Sequence, residues 1–179
     1  LLKNISNLYG IKYFILRYFN AAGADTDGDI GECHLPQTHL IPIILNSMLD
    51  GTSIQVNGND YDSKDGTCVR DYVHVSDLAK GHYSALRFLE EGGDSQECNL
   101  GLGRGYSVKE VIQSAKNVTG NDVTVKNYPR RVGDPPILIA DTSLAKTLLN
   151  WDPVYDNIDS IIETAWNWQK NIHNTTKKI

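Results

Sequence analysis

Arg70 stands where a Gly/Asp/Ser-rich loop, residues 58–67, runs into the β-patterned stretch Cys68 to Val75, with Asp71 and Tyr72 beside it. A guanidinium is planar, permanently charged and able to donate two parallel hydrogen bonds, so an arginine at this junction can fork two phosphate oxygens. The same residues also allow an Arg70–Asp71 surface pair, which contributes little. A second group is Pro129-Arg130-Arg131-Val132-Gly133-Asp134-Pro135-Pro136. Two arginines and an aspartate on a proline-stiffened loop suit a nucleotide, with the cation on a diphosphate and the carboxylate on ribose hydroxyls. The competing reading is a solvated, charged turn.

Other candidates are weaker. Gly101-Leu102-Gly103-Arg104-Gly105 follows a strand and precedes a helix, the setting of a dinucleotide-binding turn. Its sixth position is Tyr106, too bulky for close helix–strand packing, and no acidic residue ends a second strand about twenty residues on. The loop therefore reads as structural. The histidines (His34, His39, His74, His82, His173) show no pair at metal-ligand spacing with cysteine or carboxylate ligands nearby, so no metal site is expected. His74 alternates into a strand and reads as a satisfied core residue. Trp151, Trp166 and Trp168 read as packing residues. There is no Gly-x-Ser-x-Gly elbow and no Walker loop.

The elements that must position these groups follow from local pattern. Residues 1–9 read as the tail of a helix ended at Gly10, and 11–19 as a buried strand. Residues 20–37 form a long polar loop, 38–49 a helix stopped by Gly51, and 53–57 a short strand. Residues 68–75 alternate as a strand, after which Ser76 caps a helix to about Glu91. A strand at 96–100 precedes a capping box, Ser107-Val108-Lys109-Glu110, that opens a helix to about Val118. A strand at 123–126, a short helix from Thr142 to Leu149, and a last helix capped by Asp156 or Asn157 complete the chain. Lys177-Lys178-Ile179 reads as a frayed or linker end. Helices mixed with strands in this way indicate an α/β fold.

Composition bounds the classes. The 179 residues are 40% hydrophobic and 22% charged, ordinary for a globular chain, with net charge −5, which argues against a nucleic-acid binder. No apolar run reaches membrane-spanning length. Cys33, Cys68 and Cys98 are three widely spaced thiols, read as reduced and cytosolic rather than as a disulfide framework. The chain starts at Leu1, without methionine and inside a helical pattern, which reads as a piece of a longer protein.

Several segments together resemble the UDP-glucose 4-epimerases, extended short-chain dehydrogenases/reductases. They are Leu16-Arg17-Tyr18-Phe19-Asn20-Ala21-Ala22-Gly23-Ala24, Gly31-Glu32, His39-Leu40-Ile41-Pro42, residues 58–78, Tyr128 to Asp134, and Thr164-Ala165-Trp166-Asn167-Trp168-Gln169. The resemblance implies a remnant of the NAD-binding Rossmann sheet in residues 1–37. It implies a C-terminal α/β substrate-binding domain in 38–179, with 68–100 returning to the Rossmann sheet. Phe19 would then lie near the nicotinamide and Asn20 would bond the UDP diphosphate. His39 and Leu40 would border the nucleotide, and Gln55 to Asn57 would present backbone groups to uracil. Asn57 replaces an aromatic common there, which puts ring stacking in question. Arg70 and Arg131 would clamp the diphosphate, Tyr72 would support that wall, Asp134 would hold ribose, and Leu138 would shape the sugar pocket. Leucine there is intermediate between the tyrosine that restricts the family to hexoses and the smaller residues that admit N-acetylhexosamines.

The family's catalytic Tyr-x-x-x-Lys pair and NAD glycine loop have no match here: no tyrosine has a lysine four residues later. The tyrosine takes the C4 hydroxyl proton as hydride passes to NAD, and the lysine lowers its pKa. The chain thus resembles the C-terminal half only. No catalytic residue is expected in it, and NAD is expected to bind the full-length parent rather than this fragment. The parent would be a cytoplasmic homodimer acting on UDP-hexose. Alternatives are a binding-only nucleotide-sugar module, or a piece of a UDP-N-acetylhexosamine epimerase or nucleotide-sugar dehydratase.

Overall fold

A computed structural model describes residues 1–176. Helix α1 (Leu2–Tyr9) ends at Gly10, which adopts the left-handed conformation at φ 67. Strands β1 (Phe14–Tyr18) and β2 (Asn20–Ala22) lead through a long loop to α2 (Leu40–Asp50) and β3 (Ser53–Asn57). The β-patterned stretch splits at Asp71 into β4 (Val69–Arg70) and β5 (Tyr72–His74), followed by α3 (Val75–Glu90). Then come β6 (Gln96–Leu100), β7 (Tyr106–Ser107), α4 (Val108–Thr119), β8 (Thr124–Tyr128), β9 (Ile137–Leu138), α5 (Ser143–Leu149) and α6 (Ile158–Thr176).

Caps explain most boundaries. The capping box forms reciprocally: Glu110 N–H donates to Ser107 Oγ at 3.1 Å, and Ser107 N–H donates to Glu110 Oε2 at 2.9 Å. Asn157 Oδ1 accepts from Ser160 N–H at 2.9 Å, and α6 continues past Asn171 to Thr176. Helix α3 departs from expectation. Its cap is His74, whose Nδ1 accepts from Ser76 N–H at 3.0 Å, and Ser76 sits within the first turn. An imidazole acceptor fixed by burial outcompetes the serine. The expected tail at 177–179 lies outside the described residues.

Among the described residues, four of the five strand pairings are parallel: β1 with β6, β2 with β5, β3 with β8 and β4 with β9. The antiparallel one joins β4 to β7. A parallel pair needs a crossover connection, so each ladder ties together segments far apart in sequence. Strand β1 was expected to be buried, yet its residues are half-buried or exposed. Among the described residues only β6 pairs with it, and Arg17 turns outward to Glu97 and Asn99.

Two apolar cores result. One packs α2, α4 and α6 over β3, centred on Ile44, Leu45, Ile54, Val111, Ile161 and Ile162. The other packs α3 and α5 against β5 and β6, around Val73, Leu78, Leu100, Ala145, Leu149 and Trp151. Among the described residues, no helix is long and apolar enough to cross a membrane.

Candidate nucleotide-sugar site

The three short parallel ladders β2–β5, β3–β8 and β4–β9 converge on one cavity of about 440 Å³. Register sets its walls. Asn20 lies opposite Tyr72, and Asn57 lies opposite Tyr128, the last residue before the loop carrying Arg131 and Asp134. Arg70 lies opposite Leu138, just past that loop. The first turn of α2, from His39 to Ile43, closes another side.

Alternation along β4 and β5 sorts polar groups between cavity and interior. Asp71 is fully buried, and its carboxylate accepts from Leu102 N–H at 2.8 Å, Gly103 N–H at 3.0 Å and Ala140 N–H at 3.1 Å. Burial nevertheless pushes its pKa above the ordinary carboxylate value, the three N–H bonds pulling the other way. The sequence pair Arg70–Asp71 therefore does not form. Arg70 lines the cavity instead, with Nη1 donating to Val69 O at 2.7 Å and Nη2 bonded to Asp134 Oδ1. This geometry also accounts for the glycine-rich loop. A side chain at Gly101 would meet Ala140 Cβ and Asp71 Oδ2, each at 2.7 Å. The Leu102 and Gly103 N–H groups of the loop are committed to the Asp71 carboxylate and are not offered to a dinucleotide phosphate.

Around Arg70 the cavity holds complementary groups. With the Asn57 amide oxygen turned toward Arg131, it accepts from Nη2 at 3.1 Å and Nε at 3.2 Å. Asp134 also accepts from Tyr61 Oη at 3.3 Å, and Arg130 lies 4.5 Å from the Tyr61 ring centroid while pairing with Asp60. Cys68 lines the cavity; burial pushes its thiol pKa up, and the Arg70 charge pulls the other way. Burial likewise raises the Tyr72 phenol, so its hydroxyl stays neutral. Two guanidinium groups, a carboxylate and the amides of Asn20, Gln55 and Asn57 thus face one space. That donor set matches an anionic diphosphate with attached hydroxyl-rich groups.

Beneath the cavity lies a locked polar frame. His74 is fully buried and stacks on Tyr155 at 3.7 Å between ring centroids. Since Nδ1 accepts from Ser76, Nε2 carries the proton and donates to Thr164 Oγ1 at 2.9 Å. Thr164 in turn donates to Ile161 O and accepts from Ala24 N–H at 3.1 Å. Burial holds the His74 pKa down to about 4, so the ring is neutral. Gly23, at φ 85, packs against this ring, and a Cβ there would sit 2.6 Å from Nε2. Asp77 is buried too, accepting from Val154 N–H at 3.1 Å and Tyr155 N–H at 2.9 Å.

Of the residues singled out in the sequence, Phe19, Asn20, His39, Leu40, Gln55, Asn57, Arg70, Tyr72, Arg131 and Asp134 all line the cavity. Leu138 is not among its lining residues; it lies on β9, half exposed. The sequence reading passed over Tyr61, which the 58–67 loop carries inward and whose only signal was an aromatic inside a polar run. It also missed the carboxylate beside the histidines: Glu32 Oε1 lies 2.8 Å from His39 Nδ1.

The model of the family described as "NAD dependent epimerase/dehydratase family" matches residues 1–101. A UDP-glucose 4-epimerase of Halalkalibacterium halodurans is 50% identical over 163 residues, covering 90% of this chain and 49% of that one. The crystal structure of UDP-glucose 4-epimerase from Brucella ovis in complex with NAD superposes with a TM-score of 0.88 at 47% identity, covering 92% of this chain and 51% of that one. The enzyme from Bifidobacterium longum in complex with NAD+ and UDP gives 0.87 at 36% identity, covering 97% and 52%. The chain thus spans about half the length of the relatives it matches. The likeness extends over both cores and the cavity between the ladders: this chain belongs to the NAD-dependent epimerase/dehydratase family.

Proposed function

We propose that this chain is the UDP-sugar-holding half of a UDP-glucose 4-epimerase. The observation that carries the reading is the convergence on one cavity of Arg70, from β4, with Arg131 and Asp134, from the loop between β8 and β9. In this reading Arg70 and Arg131 clamp the diphosphate. Asp134 leaves Arg70 when the phosphate arrives and turns to ribose hydroxyls. Asn20 donates to the diphosphate, and the first turn of α2 places its positive dipole end beside the same charge. Gln55 to Asn57 present backbone groups to the base, with His39 and Leu40 at the border. Tyr72 is a neutral, buried wall.

The cofactor does not fit this chain on its own. Its glycine loop is filled by Asp71, and Phe19 is the only cavity residue assigned to the nicotinamide side. The C4 proton and hydride chemistry is therefore assigned to residues preceding this half in the intact enzyme, and residues 1–37 together with 68–100 to the sheet they share. Two assays test the reading. The coding sequence upstream of Leu1 should encode a Gly-x-x-Gly-x-x-Gly turn and a Tyr-x-x-x-Lys pair, and its full-length product should interconvert UDP-glucose and UDP-galactose. The 179-residue chain by itself should not. Epimerisation by the isolated chain, or a full-length product specific for another nucleotide sugar, would refute the corresponding part.

A further inference from the structure

We propose that Glu32, His34 and His39 form a divalent transition-metal site, suited to Zn2+, at the rim of the cavity. One carboxylate oxygen and two ring nitrogens from these residues all lie within 4.8 Å of one another. The two imidazoles stand edge to face, 5.6 Å apart at 88°. Ligands at about 2.0–2.2 Å around a tetrahedral metal are roughly 3.4 Å apart. Side-chain rotation is to close the remaining gap, from a backbone held at Glu32 on one side and at Thr38 and His39 on the other. Trp168 Nε1 donates to Glu32 O at 2.9 Å, and Gln37 Oε1 accepts from Thr38 N–H at 2.8 Å and His39 N–H at 2.9 Å.

The donor set narrows the ion. Two imidazoles and one carboxylate favour Zn2+, Ni2+ or Cu2+ over Mg2+ and Ca2+, which prefer oxygen ligands. Three protein ligands leave a fourth position open. His39 belongs to both the metal set and the cavity wall. Occupancy of the two sites is thereby linked reciprocally through one imidazole. This linkage, though not the metal site itself, rests on the nucleotide-sugar reading.

The test is Zn2+ titration of the 179-residue chain by calorimetry with Mg2+ as control, repeated with Co2+ to read ligand-field bands. One Zn2+ per chain is expected, with no thiolate charge-transfer band in the Co2+ form. His34→Ala and Glu32→Gln should each weaken binding at least about tenfold, while Cys33→Ser, at the exposed neighbouring thiol, should leave it unchanged. Failure of stoichiometric Zn2+ binding overturns the proposal, as does insensitivity to His34→Ala and Glu32→Gln, or loss in Cys33→Ser. UDP titration of His34→Ala in metal-free buffer keeps the two readings apart: unchanged UDP binding there isolates any failure to the metal site.

Discussion

Arg70 and Asp71 are neighbours in sequence and opposites in environment. Asp71 is wholly buried and holds three backbone N–H groups from two other segments. Arg70 faces a cavity, and its partner there, Asp134, is itself a ligand candidate. The contrast extends to whole regions. In the frame, Asp71, His74 and Asp77 have fixed partners, and among the described residues no buried side-chain nitrogen or oxygen lacks one. In the cavity, polar groups are satisfied by one another: Arg70 by Asp134, Arg131 by Asn57, His39 by Glu32. Buried polar groups with fixed partners specify a structure. Polar groups paired across a cavity are held ready for a ligand that replaces those pairings. Frame substitutions should therefore cost stability, and cavity substitutions should cost binding.

The largest effect should come from the frame. Asp71→Ala strands the buried Ala140 N–H and the part-buried N–H groups of Leu102 and Gly103; at about 1–3 kcal/mol for a fully buried group and less for the others, unfolding free energy should drop by ~4 kcal/mol. Denaturant unfolding measures it, and a drop below about 1 kcal/mol would erase the distinction between the two regions.

Next is the acid response of His74. Its pKa is lowered by burial from 6.5 to about 4 in the fold. Between those values the unfolded chain binds the proton more tightly. This contribution is thus fully present above about pH 6.5 and lost as pH falls toward 4, a swing of ~3 kcal/mol. His74→Gln should flatten that acid slope in unfolding experiments at stepped pH, and identical slopes in both proteins would contradict the assignment.

In the cavity, Arg70→Ala should weaken UDP binding by about 50-fold, or ~2–3 kcal/mol, with stability changed by less than about 1 kcal/mol. A large stability loss would move Arg70 into the frame. The smallest effect is expected at Asn57. Asn57→Ala removes the acceptor that orients Arg131 and should weaken UDP binding about fivefold, near 1 kcal/mol, read by calorimetry.

Much of this division was legible in the sequence. Helix ends were marked by Gly10, Gly51 and the Ser107–Glu110 box, and the cavity arginines by their loop–strand setting. What local pattern could not show is long-range. Asp71 read as a partner of Arg70 because spacing says nothing about which face of a bent strand is covered; residues 101–103 and 140 cover it. Ser76 read as a cap because nothing local reveals a buried imidazole whose other nitrogen is tied to Thr164, ninety residues away. Strand β1 read as buried from its β-branched and aromatic residues, yet burial depends on neighbouring strands, and only β6 pairs with it among the described residues. The Glu32–His39 contact was hidden by a loop whose course no periodicity encodes.

The most direct test is calorimetric titration of UDP, against uridine, into the 179-residue chain and its Arg70→Ala variant. The account predicts saturable, one-to-one UDP binding by the parent chain. It also predicts that removing the diphosphate from the ligand and removing Arg70 from the protein each cost most of that affinity, and that the two losses do not add. A folded chain that fails to bind UDP, or one that binds UDP equally well without Arg70, would contradict it.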